Sequence, residues 1–131
     1  MATVLKKLIL YVWQLILYVW QLPQNLLGLL FLLFIRNEKK HILAGVTFYQ
    51  SSTFPGGISL GQYIIMGYAT EKDVKHEFGH CIQSKILGWF YLPIVGLPSL
   101  LHAWLHDCKA GKTYYHYWTE KWADKLAGIT R

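Results

Sequence analysis

The sequence predicts a mostly helical membrane protein with a small β element, an α+β architecture, and three observations carry that prediction. Residues 8–35 hold no charged side chain and are built from Leu, Ile, Val, Tyr, Trp and Phe with few interruptions. From Ile42 to Tyr68 the texture changes to β-branched and aromatic runs around Pro55-Gly56-Gly57. Beyond that, helix formers carry chemically active side chains one turn apart, first after Thr70 and again before Gly128. Composition agrees: charged residues make up 15% of the 131, against roughly 25% in soluble chains, and hydrophobic residues 53%. This length suits one small domain plus an anchor, divided as residues 1–36 and 37–131. Net charge is +6 with lysines scattered rather than aligned, which disfavours nucleic acid as a partner and favours an anionic lipid surface.

The apolar stretch comes first. Its 28 residues, 8–35, are enough to span a bilayer with some tilt, and the heptad Leu8–Gln14 is repeated without change at 15–21. A secretory leader is excluded by the length of the apolar core and by the sequel Arg36-Asn37-Glu38-Lys39-Lys40, which offers no small-residue cleavage site. One long helix kinked at Pro23 is expected, the alternative being an interfacial helix followed by a short buried one. Tyr11, Gln14, Tyr18, Gln21, Asn25 and Gly28 recur every three or four residues and form a narrow polar and small stripe. Polar groups in lipid need partners, so the stripe is predicted to face protein: the rest of this chain, or a second copy in a homo-oligomer. Lys6 and Lys7 precede the helix and the other 11 of the 13 basic residues follow it, which places residues 37–131 on the cytoplasmic side.

The two runs around Pro55-Gly56-Gly57 predict a β-hairpin. Thr70-Glu71-Lys72-Asp73 then resembles a capping box with Asp in place of Glu, and opens a helix running to about Leu87. That helix contains His76-Glu77-Phe78-Gly79-His80. Histidines four apart differ by about 40° around a helix and stand about 6 Å apart along it, so both can reach one metal ion. Glu77 can lean over the ion's open side and take a proton from water. Gly79, costing roughly 1 kcal/mol against Ala inside a helix, predicts a neighbour packed on its bare backbone. Glu120, 40 residues beyond His80, supplies the kind of later-helix carboxylate that completes a three-ligand site. Asp124 projects from the same face one turn on, where it can accept a hydrogen bond from the far nitrogen of a liganding histidine.

H-E-x-x-H followed by Glu120-Lys121-Trp122-Ala123-Asp124 (E-x-x-A-D) resembles the gluzincin zinc metallopeptidases. Within them the likeness is to the membrane-bound branch of the HtpX heat-shock protease and the type I CAAX prenyl endopeptidase, and to a group of short bacterial membrane proteins. It covers residues 70–128 and is dense in the two motifs. The resemblance implies zincin-like helices in residues 37–131, with His76, His80 and Glu120 as zinc ligands. It makes Glu77 the general base and Asp124 the partner of His76. It further implies a peptide or membrane-protein substrate, its backbone held by an edge strand beside the zinc cleft, a place the hairpin can fill. The hairpin's other role is a lid over the helices.

Ile86–Leu105 is uncharged again, but Gly88, Pro93, Gly96 and Pro98 interrupt it. Since Glu120 must return to the ion held by His76 and His80, this segment is expected to dip into the interface, turn back, and end in a helix opened by Pro98-Ser99. His102 and His106 form a rival pair for the metal, without a glutamate to make it catalytic. In the aromatic cluster Tyr114–Trp118, His116 is a candidate donor to the oxyanion formed in hydrolysis. Cys81 and Cys108 form no metal or disulfide motif and are expected to be buried small hydrophobes, with Cys81 pointing about 100° away from His80. Together these features predict a membrane-anchored zinc hydrolase. The alternatives are a membrane scaffold with a structural or vestigial zinc site, and a membrane-active peptide at the cationic, Trp-rich N-terminus.

Overall fold

Proline cannot donate to the carbonyl four residues before it, and Pro23 divides the apolar N-terminal run accordingly. The computed structural model describes residues 2–35, 39–43, 45–52, 54, 56–67, 70–106 and 117–130, without the side chain of His106. In it the run forms α1 (Ala2–Trp20) and α2 (Leu22–Phe34). The bend expected at Pro23 is a break at Gln21, with φ −109° and ψ 20°. Side chains bond to the carbonyls before the break: Trp89 Nε1 donates to Val19 O at 2.9 Å, and Asn25 Nδ2 donates at 3.0 Å to Tyr18 O, which also accepts from Gln21 N. Among the described residues α1 is the one helix long and apolar enough to cross a membrane, and none of its residues is buried.

The polar stripe splits at this break. Tyr11 and Gln14 are exposed, whereas Tyr18, Gln21, Asn25 and Gly28 turn toward the chain's own later residues. Tyr18 and Tyr63 share a hydroxyl hydrogen bond of 3.2 Å, Ser84 Oγ donates to Gln21 Oε1 at 2.6 Å, and Gln62 N donates to Asn25 Oδ1 at 2.9 Å. Gln24 adds donations to Ser84 Oγ at 2.9 Å and to the Gly88 carbonyl at 2.7 Å. Polar side chains in a greasy helix thus fix α2 against the folded part.

The β element is a four-stranded mixed sheet made of two hairpins. Its strands are β1 (Lys39–Leu43), β2 (Val46–Gln50), β3 (Gly57–Leu60) and β4 (Tyr63–Met66), in the order β1-β2-β4-β3. Each predicted run contains a glycine that takes a left-handed turn, Gly45 at φ 77° and Gly61 at φ 65°, so each folds back on itself. The stretch around Gly56 therefore links the hairpins instead of closing one, and β2 and β4 pair in parallel. Pro55 lies outside the described residues. β3 is an edge strand. Gly67 N donates to Gly56 O at 2.8 Å, and by alternation along the β3–β4 register Ile58 turns its backbone groups to β4 while Gly57 and Ser59 turn theirs outward. Tyr91 meets the Ser59 carbonyl from that outer side, its hydroxyl donating at 3.5 Å.

Val46, Phe48, Ile64 and Met66 from the sheet pack against Val74 and Cys81 of α3 (Glu71–Leu87) to form the core. The predicted capping box is present: Asp73 N donates to Thr70 Oγ1 at 3.2 Å and Thr70 N to Asp73 Oδ2 at 3.4 Å. After α3 the glycines and prolines break the chain into a 3-10 turn (Gly88–Phe90), a π turn (Leu92–Gly96) and α4 (Leu97–His106). The last helix, α5 (Trp118–Ala127), ends as predicted at Gly128, left-handed with φ 73°, where Ile129 N donates to Asp124 O at 2.8 Å. α5 runs antiparallel to α3, and Gly79 allows their contact, since a Cβ there would run into the Ala123 carbonyl.

Candidate metal centre

The α3–α5 contact brings together one face of each helix. On α3, residues 76, 80 and 83 lie three or four apart; on α5, so do residues 120 and 124. Antiparallel packing then matches the early part of one with the late part of the other. His76 Nε2 lies 2.9 Å and His80 Nε2 2.8 Å from the same oxygen, Glu120 Oε2. The three candidate ligand atoms fall within 4.8 Å of one another, and all three residues are buried, Glu120 completely. Among the described residues this is the one group of three or more such side chains able to hold a metal ion.

The far nitrogens are also engaged. His76 Nδ1 is 2.7 Å from Asp124 Oδ1, the partner predicted for it, and His80 Nδ1 is 2.7 Å from Gln83 Oε1. Both rings therefore direct Nε2 toward one point while oxygens hold Nδ1, the orientation that metal-ligating histidines need. Two imidazoles and a carboxylate suit zinc, whose ligand atoms around a tetrahedral ion with bonds near 2 Å stand about 3.3 Å apart. The two histidine–carboxylate contacts are a few tenths of an ångström shorter, as direct hydrogen bonds require, and all three ligand atoms lie within 4.8 Å of one another. The residues thus fit a divalent ion in both donor set and orientation.

The electrostatics of the cluster follow from the same contacts. Burial opposes charge on Glu120, but hydrogen bonds and charge from His76 and His80 outweigh it and hold the carboxyl well below its usual range. Burial likewise opposes protonation of His80, yet Glu120, Glu77 and Gln83 together raise its pKa to about 9. A metal ligand must be neutral imidazole, so uptake of metal displaces this proton. Apparent affinity for zinc should therefore rise by about tenfold per pH unit toward pH 9 and level off above it. Ion-free protein should show the opposite trend. A raised folded-state pKa stabilises fully below the unfolded value near 6.5 and is lost as pH rises through about 9, while the Glu120 contribution is lost below about 4.5. Zinc titration and melting of chelated protein from pH 5 to 10 measure both trends; affinity independent of pH between 6.5 and 9 would contradict them.

Glu77 follows His76 on α3 and lines a cavity of about 440 Å³ together with His80 and Glu120. Burial raises its carboxyl above the usual range, against the pull of the two histidines. The remaining walls are chiefly apolar: Leu27 and Phe31 of α2, Ile58 and Leu60 of β3, Leu97 and Leu100 of α4. Gly57 leaves room beside the carboxylate, for a Cβ there would lie 3.0 Å from Glu77 Oε1. Ser59, buried on β3, donates to the Glu77 backbone carbonyl at 2.6 Å and so ties the edge strand to the helix that carries the site.

His102 stacks edge-on against Tyr117 at 4.3 Å, as a packing residue does, and the side chain of His106 is not described. His116, Tyr114, Tyr115 and Cys108 lie outside the described residues. Cys81 is buried beside Ser59, with burial pushing its thiol up to about 12, an inert small hydrophobe as expected. Sequence reasoning missed Gln83 and Gly57. Gln83 was detectable in principle, being three residues past His80 on the ligand face; Gly57 was not, because its role depends on where β3 lies against α3.

Comparison with protein-family models, with curated proteins and with solved structures finds no match.

Proposed function

We propose that this chain is a membrane-anchored, zinc-dependent hydrolase of the gluzincin kind, most simply a peptidase acting beside the bilayer. The observation that carries the reading is the convergence of His76 Nε2, His80 Nε2 and Glu120 Oε2 at one buried point, with the Glu77 carboxylate on the wall of the adjoining cavity. Zinc held there supplies Lewis-acid polarisation of a carbonyl and a lowered pKa for water. The chain's own residues supply the rest. Asp124 and Gln83 orient the two rings, and Glu77 accepts the proton of the attacking water and passes it to the leaving amine. The outward-turned backbone groups of Gly57 and the Ser59 N–H offer a short edge along which an extended peptide can add as a strand, the Ser59 carbonyl being taken by Tyr91, and the apolar walls exclude competing water.

Residues 1–36 act as the anchor, α2 also lending Leu27 and Phe31 to the cavity, and 37–131 as the catalytic part, for which the charge asymmetry favours the cytoplasm. Exposed apolar side chains on the 86–105 segment, among them Trp89, Phe90, Leu101 and Trp104, continue the lipid-facing character of α1 and fit an interfacial or re-entrant seat. A homo-oligomer, if formed through the stripe, would use Tyr11 and Gln14, whose side chains are exposed. Purified full-length protein in lipid nanodiscs should hydrolyse a fluorogenic peptide series bearing apolar residues. A chelator should stop that hydrolysis and zinc restore it; hydrolysis indifferent to chelation would defeat the proposal.

A further inference from the structure

The hydrogen bonds around His80 decide more than the presence of a site, because they determine which of its nitrogens is available. Gln83 is fully buried and its amide is held at both ends: Nε2 lies 2.9 Å from the Thr119 carbonyl and Oε1 lies 2.7 Å from His80 Nδ1. A backbone carbonyl only accepts, so the amide nitrogen must face Thr119 and the amide oxygen must face the ring. The amide oxygen also only accepts, so Nδ1 must carry the hydrogen. In a neutral imidazole that leaves the lone pair on Nε2, the atom 2.8 Å from Glu120 Oε2. Thr119 is itself fixed: it immediately precedes Glu120, and its Oγ1 accepts from Ser99 Oγ of α4 at 2.8 Å.

We propose that Gln83 is a positioning residue of the metal centre, setting the His80 tautomer and ring direction so that Nε2 binds a divalent cation. The inference rests on the triad being a metal site and adds to it an unequal backing of the two rings. His76 is held by a carboxylate, whereas His80 is held by a neutral amide anchored to the peptide before the third ligand. Ser99 on the cavity wall holds the Thr119 side chain, and the Thr119 carbonyl holds Gln83, so the wall and the support of His80 meet at one residue.

Cadmium is the probe for the first test, on wild-type protein with nitrogen-15-labelled histidine. Coupling of cadmium-113 to Nε2 of His80, with a slowly exchanging proton on Nδ1, is expected. Coupling at Nδ1 overturns the proposal without any variant. The second test compares Gln83→Met, close in volume and lacking both polar ends, with Gln83→Glu, which keeps an acceptor for Nδ1–H. Gln83→Met should bind cobalt 10–100-fold more weakly and alter its visible spectrum, as loss of an outer partner does, while Gln83→Glu, which keeps that acceptor but not the donor to the Thr119 carbonyl, should recover part of both. Affinity and spectrum unchanged in Gln83→Met, or equally damaged in both variants, overturn the proposal. Should wild-type protein bind no cadmium at the triad, the proposed function falls with it. Should wild-type bind normally and only the Gln83 results fail, the function stands and the positioning role alone is lost.

Discussion

Glu77→Gln should retain one zinc per chain and lose hydrolysis by about 10²–10⁴-fold, the usual contribution of a positioned general base. Glu77 lies outside the triad, so the substitution leaves the ligand atoms in place. It is nearly isosteric, and Gly57 and the cavity leave room for an amide where the carboxylate stood. What disappears is the group that takes a proton, in a site whose burial raises that carboxyl and so suits it to move a proton nearer neutrality. Metal content and initial rate, measured on the same preparation, separate the two effects. Equal rates for variant and wild type, with contaminating protease excluded, would sink the mechanism; zinc lost together with activity would instead make Glu77 part of the binding set.

The second large effect is loss of the metal itself. Glu120→Ala removes the only acid of the triad from a completely buried position and leaves two rings, with centroids 4.8 Å apart, lacking the oxygen they share. Two neutral nitrogens hold zinc poorly compared with three ligands including an anion, so stoichiometric zinc should vanish in this variant and equally in His76→Ala. Elemental analysis after gel filtration in the presence of a mild competing chelator is the measurement. Zinc surviving both substitutions would relocate it to the His102 and His106 pair and remove the basis for hydrolysis. Zinc lost from both while no hydrolysis is found for any peptide or lipid-linked substrate would favour the alternative of a scaffold with a structural ion.

Several elements were legible because their signals are local. Thr70 and Asp73 cap α3 through contacts three residues apart, Gly128 ends α5 by its own left-handed backbone, and the spacing of His76 and His80 guarantees a common face once a helix forms. Gly79 announced a close neighbour through its cost to the helix, although the neighbour's identity, Ala123, was silent. Other features were not local. The two hairpins turn at Gly45 and Gly61, but the parallel junction pairs Tyr49 with Ile65 and Gln50 with Met66, residues 16 apart that no neighbouring signal brings together. The Val19 carbonyl, which Pro23 cannot serve, finds its donor in Trp89, some 70 residues away.

Sequence alone therefore determined the parts: an apolar helix able to cross a bilayer, two helices bearing H-E-x-x-H and E-x-x-A-D, and the chemistry those side chains permit. Tertiary structure decided their assembly. It set Glu120 against both rings, turned Gln21 and Gln24 onto α3 and Tyr18, Asn25 and Gly28 onto the β3–β4 hairpin, and walled the cavity with α2. The physical reason is range. Capping and helical spacing act within one turn and are written in neighbouring residues, whereas the approach of α5 to α3 and of α2 to β3 is fixed by the mutual fit of surfaces far apart in the chain.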